Sequence, residues 1–166
     1  MPDPRELLSV SRHLVAASAP SDAAVRRSIS TAYYAVFHAV LRRAADLFVG
    51  EDRRSEPAYA LLYRGFEHTH MRRQLESLDR PTLGDKAKRA LGGRSFVSRD
   101  MRSFAAAFAG LQDLRTYADY DPQVQLTGLE ARTVVEEAAD AIDIVGRVPP
   151  DELRDVLAYL LFRTRD

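Results

Sequence analysis

The chain has 166 residues, enough for one domain with a sizeable core. Hydrophobic residues make up 46% and charged residues 29%, the balance of a globular domain, and no apolar run approaches the ~20 residues of a membrane span. Formal net charge is zero and cysteine is absent, which excludes a bulk polycation, a disulfide framework and a thiolate metal site. With no basic-then-apolar leader at the start, the cytoplasm is the expected location.

Helical periodicity runs throughout, and no stretch shows sustained apolar/polar alternation. Residues 4–18 form a first helix, with Pro4 suited to its opening turn. The APSD stretch breaks the run, and Ser21 or Asp22 can cap the next helix, residues 22–49. Along it Val25, Ile29, Tyr33, Val36, Val40 and Leu47 make one apolar stripe, and Gly50 ends it. Beyond a charged loop, Pro57 starts a third helical stretch that continues, with room for a break, to about Leu78. Pro81, Gly84 and the Gly92–Gly93 pair make residues 80–98 a loop holding at most a short helix.

A strong helix then covers about residues 98–119, with Met101, Phe104, Phe108 and Leu111 in a row, and Asp121–Pro122 stops it. Thr127 and Glu130 form a T-x-x-E capping box for a helix reaching about Val148. Its inner face is Val134, Val135, Ala138, Ile142 and Val145. Pro149–Pro150 punctuate before a final helix over residues 151–163, built on Leu153, Val156, Leu157 and Leu160. The expected fold is a single all-α domain over residues 1–166, an antiparallel (up-and-down) helical bundle of four core helices with extra flanking helices.

Charge is unevenly spread. Residues 72–102 hold nine Lys/Arg against four Asp/Glu, and residues 119–155 hold ten Asp/Glu against three Lys/Arg. Two differently charged solvated faces account for this, and so does steering of an anionic ligand or docking of subunits.

Residues 115–120 (RTYADY) carry the most informative anomaly. The apolar row at 101, 104, 108 and 111 continues at helical spacing to Arg115, and a guanidinium on a core-facing stripe needs a partner. Asp119, four residues on, is available. An Arg115–Asp119 pair can simply pin the helix end, or Asp119 can orient Arg115 to grip phosphate. The second helix adds a polar stripe of Arg27, Thr31, Tyr34, His38 and Arg42, which reads as a wetted face or as a phosphate grip with an acid/base histidine. His68 and His70 point about 200° apart on a helix and lack the His-x-x-x-His spacing of helical zinc sites, so no metal is expected. Arg64 and His70 are a further arginine–histidine pair, with five residues between them. The glycine pair of LGGRS is a weak anion-site signal beside its reading as a flexible loop.

Two segments together resemble a known family. Residues 26–40 (RRSISTAYYAVFHAV) are similar to the helix that opens many HEPN domains (higher eukaryotes and prokaryotes nucleotide-binding). Residues 104–122 (FAAAFAGLQDLRTYADYDP) resemble the later helix of the HEPN subgroup with an R-x-x-A-D-Y-D signature. The resemblance covers roughly residues 5–163. It implies a helical bundle that dimerises with the arginine region of each subunit near a shared cleft, acting on RNA or nucleotide and needing no cofactor. Many such proteins are metal-independent ribonucleases, often toxins paired with a small nucleotidyltransferase antitoxin. Their signature is an arginine, four to six residues, then a histidine. Arg115 matches the arginine, but Tyr120 stands at the first permitted histidine position. A phenol is a poor base near neutral pH, although it can donate a hydrogen bond to phosphate.

The expectation is therefore an RNA or nucleotide binder, the HEPN component of a toxin–antitoxin or defence system. Its catalytic-type residues are Arg115, Asp119 and Tyr120, and its ligand-binding residues are Arg27, Tyr34 and His38. Two other readings stand beside it: a metal-independent ribonuclease with a non-standard site, and a non-catalytic oligomerisation or partner-binding module.

Overall fold

The structure is a computed structural model and describes residues 2–162. The fold is an all-α helical bundle, with eight α-helices and no strand among the described residues. They are α1 (Pro4–Leu14), α2 (Asp22–Phe48), α3 (Pro57–Tyr63), α4 (His68–Leu78), α5 (Asp85–Ala90), α6 (Arg99–Tyr120), α7 (Gly128–Arg147) and α8 (Pro150–Leu161). Boundaries follow the sequence signals closely, with one clear difference at the first helix. The alanine-rich residues 15–18 carry helix propensity, yet α1 stops at Leu14. Val15 is buried there, and its carbonyl accepts from Arg132 Nη1 at 2.9 Å, a long-range contact in place of another helical turn. Residue 163, expected to close the last helix, lies outside the described residues.

Two compact units divide the chain: residues up to 39 with 107–143, and residues 40–106 with those from 144 onward. In the first, the α2 stripe of Val25, Ile29, Tyr33 and Val36 is buried, as are Phe108 and Leu111 of α6 and Val134, Val135 and Ala138 of α7. The rings of Tyr33 and Phe108 lie 5.5 Å apart with tilted planes, a favoured aromatic arrangement. Helices α1 and α2 meet at two fully buried serines. Ser11 donates to the Ser28 carbonyl at 2.7 Å and Ser28 to the Ser11 carbonyl at 2.9 Å, so neither hydroxyl is left unsatisfied.

The expected capping box is present at α7. The Thr127 N–H donates to Glu130 Oε2 at 2.7 Å, and the Glu130 N–H donates to Thr127 Oγ1 at 3.2 Å. Thr127→Ala is expected to cost about 1 kcal/mol of stability. Urea unfolding with an unchanged slope checks this, and a loss below a few tenths of a kcal/mol would contradict it.

In the second unit the third helical stretch breaks between α3 and α4. A Cβ on Gly65 would sit 2.9 Å from the end of the Leu161 side chain and 3.2 Å from the Leu62 carbonyl, so the chain passes these groups closely at the break. Residues 80–98 hold only the short α5, closed by Gly92 and Gly93 at φ 65° and 87°. The α6 N-terminus is capped twice. Ser98 Oγ accepts from the Met101 N–H at 3.1 Å, and the Ser98 N–H donates to buried Glu152 at 2.8 Å. Asp46 is bound by Arg54 through two nitrogens at 2.9 and 2.7 Å and accepts from the Tyr59 hydroxyl at 2.7 Å. Burial alone would raise the Asp46 pKa, but these donors outweigh it and hold the carboxyl below its usual range.

Candidate functional site

The most elaborate polar cluster of the first unit lies at the end of α6. Arg115 continues the buried stripe of α6 with its side chain 22% exposed. Its Nε lies 2.8 Å from Asp119 Oδ2, one helical turn on. The Nε–H is not aligned for a hydrogen bond, so the contact is an ion pair. Nη2 donates to the hydroxyls of Tyr34 at 3.1 Å and Tyr120 at 3.2 Å. The guanidinium carbon is 5.6 and 5.1 Å from the centroids of these two rings, within cation–π range. Among the described residues, Nη1 donates to none.

Burial works against the Arg115 charge, but Tyr34, Asp119 and Tyr120 outweigh it and raise the pKa, so the group is a fixed cation. Asp119 is itself tied down, because the buried Ser30 hydroxyl donates to its Oδ1. The chemistry on offer is a guanidinium with one nitrogen held by carboxylate, one by phenols and one uncommitted. That nitrogen suits a phosphate or carboxylate oxygen.

Arg115, Asp119, Tyr120 and Tyr34 are thus brought together. His38 follows Tyr34 by one turn, with ring centroids 6.4 Å apart, and it also packs edge-on against Phe37 at 5.8 Å. Burial pushes the His38 pKa below 6.5, so the imidazole is neutral near pH 7. Because the folded state binds this proton less readily than the unfolded chain, stability rises with pH across the window. It is lost as pH falls from about 6.5 through the folded pKa. His38→Gln is expected to flatten the fall in melting temperature across that window, and an unchanged pH profile would exclude His38 as its source.

Arg27 is not part of the cluster: it is exposed, and its carbonyl accepts from Thr31 Oγ1 at 2.7 Å. The stripe of α2 that does face the end of α6 is one residue earlier, Arg26–Ser30–Tyr34. Arg26 donates to the carbonyls of Tyr117, Ala118 and Asp121 at 3.4, 3.1 and 2.9 Å through Nη1, and to that of Val124 at 2.7 Å through Nη2. Its Nε bonds Asp22 at 2.9 Å. Sequence reasoning passed over Arg26 and Ser30; the usable signal was their i, i+4, i+8 register with Tyr34.

A concavity of about 440 Å³ opens beside this segment, lined by Asp22, Arg26, Asp119, Tyr120 and Asp121 among others. Of its charged lining groups, Arg26 is engaged by Asp22 and by backbone carbonyls, and Asp119 by Arg115 and Ser30. Arg64 is the C-cap of α3 and His70 lies in the first turn of α4, both in the second unit. Among the described residues, no group of three or more His, Asp or Glu is placed to hold a metal, and no helix is long and apolar enough to cross a membrane. Compared with known proteins, the chain matches no family model, no curated protein and no solved structure.

Proposed function

We propose that the chain is a HEPN-like RNA- or nucleotide-binding protein whose phosphate grip is Arg115. One observation carries this reading: a permanently charged guanidinium is braced by Asp119, Tyr34 and Tyr120 and keeps Nη1 uncommitted. A purely structural ion pair needs neither the two phenols nor a spare nitrogen. Tyr120, 68% exposed, adds a ring on which an unpaired base can stack. In this reading two copies pair with their Arg115 regions at a common cleft. The physiological partner is a small nucleotidyltransferase antitoxin, and the setting is a cytoplasmic toxin–antitoxin or defence system.

The test is anisotropy titration of a labelled oligouridylate of about ten nucleotides with wild type and an Arg115 variant. Equal affinities would remove the site from consideration.

A ribonuclease reading is favoured by His38. A neutral imidazole one turn from Tyr34 can accept the 2′-hydroxyl proton while Arg115 holds the phosphate. Incubating total RNA with excess protein and chelator decides it. Intact RNA would leave binding alone.

A further inference from the structure

We infer that Arg26 is the positioning residue of the Arg115 site, holding the last turn of α6 in the geometry that presents Arg115 and Tyr120 together. The inference rests on the phosphate-grip reading above and names the device that shapes it. Arg26, Ser30 and Tyr34 lie one turn apart on α2 and face the same end of α6. Each takes a different part of it: Tyr34 takes the Arg115 guanidinium, Ser30 the Asp119 carboxylate, and Arg26 the backbone beneath both.

The chemistry of the Arg26 contact favours positioning over simple surface pairing. The last carbonyls of a helix carry the negative end of its dipole and mostly lack an intrahelical donor, although that of Tyr117 already accepts from the Asp121 N–H at 3.1 Å. Arg26 supplies a cation and donors to the Tyr117, Ala118 and Asp121 carbonyls, and reaches past the helix to Val124. Its fork therefore spans residues 117–124, which bracket Tyr120 and the Asp121–Pro122 stop. A lysine at the same place offers the charge but only one nitrogen, and cannot bridge acceptors on both sides of the turn. Asp22 completes the brace by fixing the guanidinium from its own helix, at 2.9 Å from Nε.

Both sequence segments that drew attention are joined by Tyr34, Ser30 and Arg26, and of these Arg26 alone takes the backbone. Arg26 is mostly shielded, its side chain 20% exposed, and every donor nitrogen is engaged by protein. It is poorly placed to take ligand itself. Its influence passes through Tyr120 and Arg115.

The test uses the full chain as wild type, Arg26→Lys, Arg26→Gln and Arg115→Ala, with the labelled oligouridylate as probe. Measurements are made well below each melting midpoint, so that every sample is native. Arg26→Lys is expected to bind about tenfold more weakly, the equivalent of one charge-assisted hydrogen bond lost. Arginine-selective ¹⁵N labelling supplies a second readout, the Arg115 Nε–H resonance, assigned by its loss in Arg115→Ala. It is expected to shift in Arg26→Lys and Arg26→Gln. Lowered melting temperature with native-state affinity within about twofold and an unmoved resonance would overturn positioning and leave a structural clamp. Should Arg115→Ala bind like wild type, the phosphate-grip reading fails instead, and the resonance alone decides whether Arg26 sets the Arg115 geometry.

Discussion

Arg115→Leu is expected to weaken oligonucleotide binding between about tenfold and a hundredfold while leaving stability within about 1 kcal/mol of wild type. Arg115 has the position of a core residue and the chemistry of a ligand. Its stripe-mates Phe108 and Leu111 are buried, while its own head is part-exposed between two phenols. The Arg115 and Asp119 side chains are 22% and 24% exposed, so their ion pair is screened and adds little to folding. Leucine restores an apolar contact against Tyr34, and Asp119 retains its bond from Ser30. Replacing a partly buried charge with a hydrophobe of similar reach is often close to neutral. Binding has no such substitute, because the uncommitted Nη1 is gone.

Salt titration sharpens the result. Loss of one phosphate contact should reduce the slope of log affinity against log salt by about one, whatever the RNA sequence. An unchanged affinity and slope would show that Arg115 touches no phosphate. A large fall in melting temperature would instead make the cluster a helix pin, the other role open to an Arg–Asp pair at this spacing.

Phe108→Ala is expected to produce the largest loss of stability, about 3–5 kcal/mol. Phe108 is fully buried, and its ring is in tilted contact with Tyr33, itself buried on the α2 stripe. Truncation removes both the transfer energy of the ring and its contacts, and leaves a void that helices cannot collapse around without moving their axes. Urea unfolding at constant slope measures the effect, and a loss under about 1 kcal/mol would mean that the site repacks. Phe108 stands two turns before Arg115 on α6, so comparing Phe108→Ala with Arg115→Leu separates the stripe's two parts. One is expected to cost stability without altering native-state affinity, and the other the reverse.

Much of the helical layout was legible because its signals are local. Pro57, Pro122 and Pro149 punctuate by their fixed φ and missing donor, and Thr127 and Glu130 cap by reciprocal bonds that need no distant partner. Arg115 was legible for a related reason: a cation interrupting an apolar period is visible without knowing what it faces. Asp119 followed from the spacing of a helical turn. The end of α1 was not legible, because alanine-rich residues favour continuing and Arg132 closes the helix from more than a hundred residues away in sequence.

The same distinction runs through the feature at the heart of the site. From sequence alone, α2 was a long amphipathic helix with a polar stripe beside its core stripe, and Arg115 was an arginine needing a partner. Which polar stripe mattered was beyond its reach. Arg26 and Arg27 differ by about 100° around the helix axis, and both are chemically able to grip an anion or a carbonyl. Only the tertiary structure turns Arg26, Ser30 and Tyr34 toward the end of α6 and leaves Arg27 exposed. Periodicity determines which residues share a face, whereas the partner a face meets is set by how the helices pack.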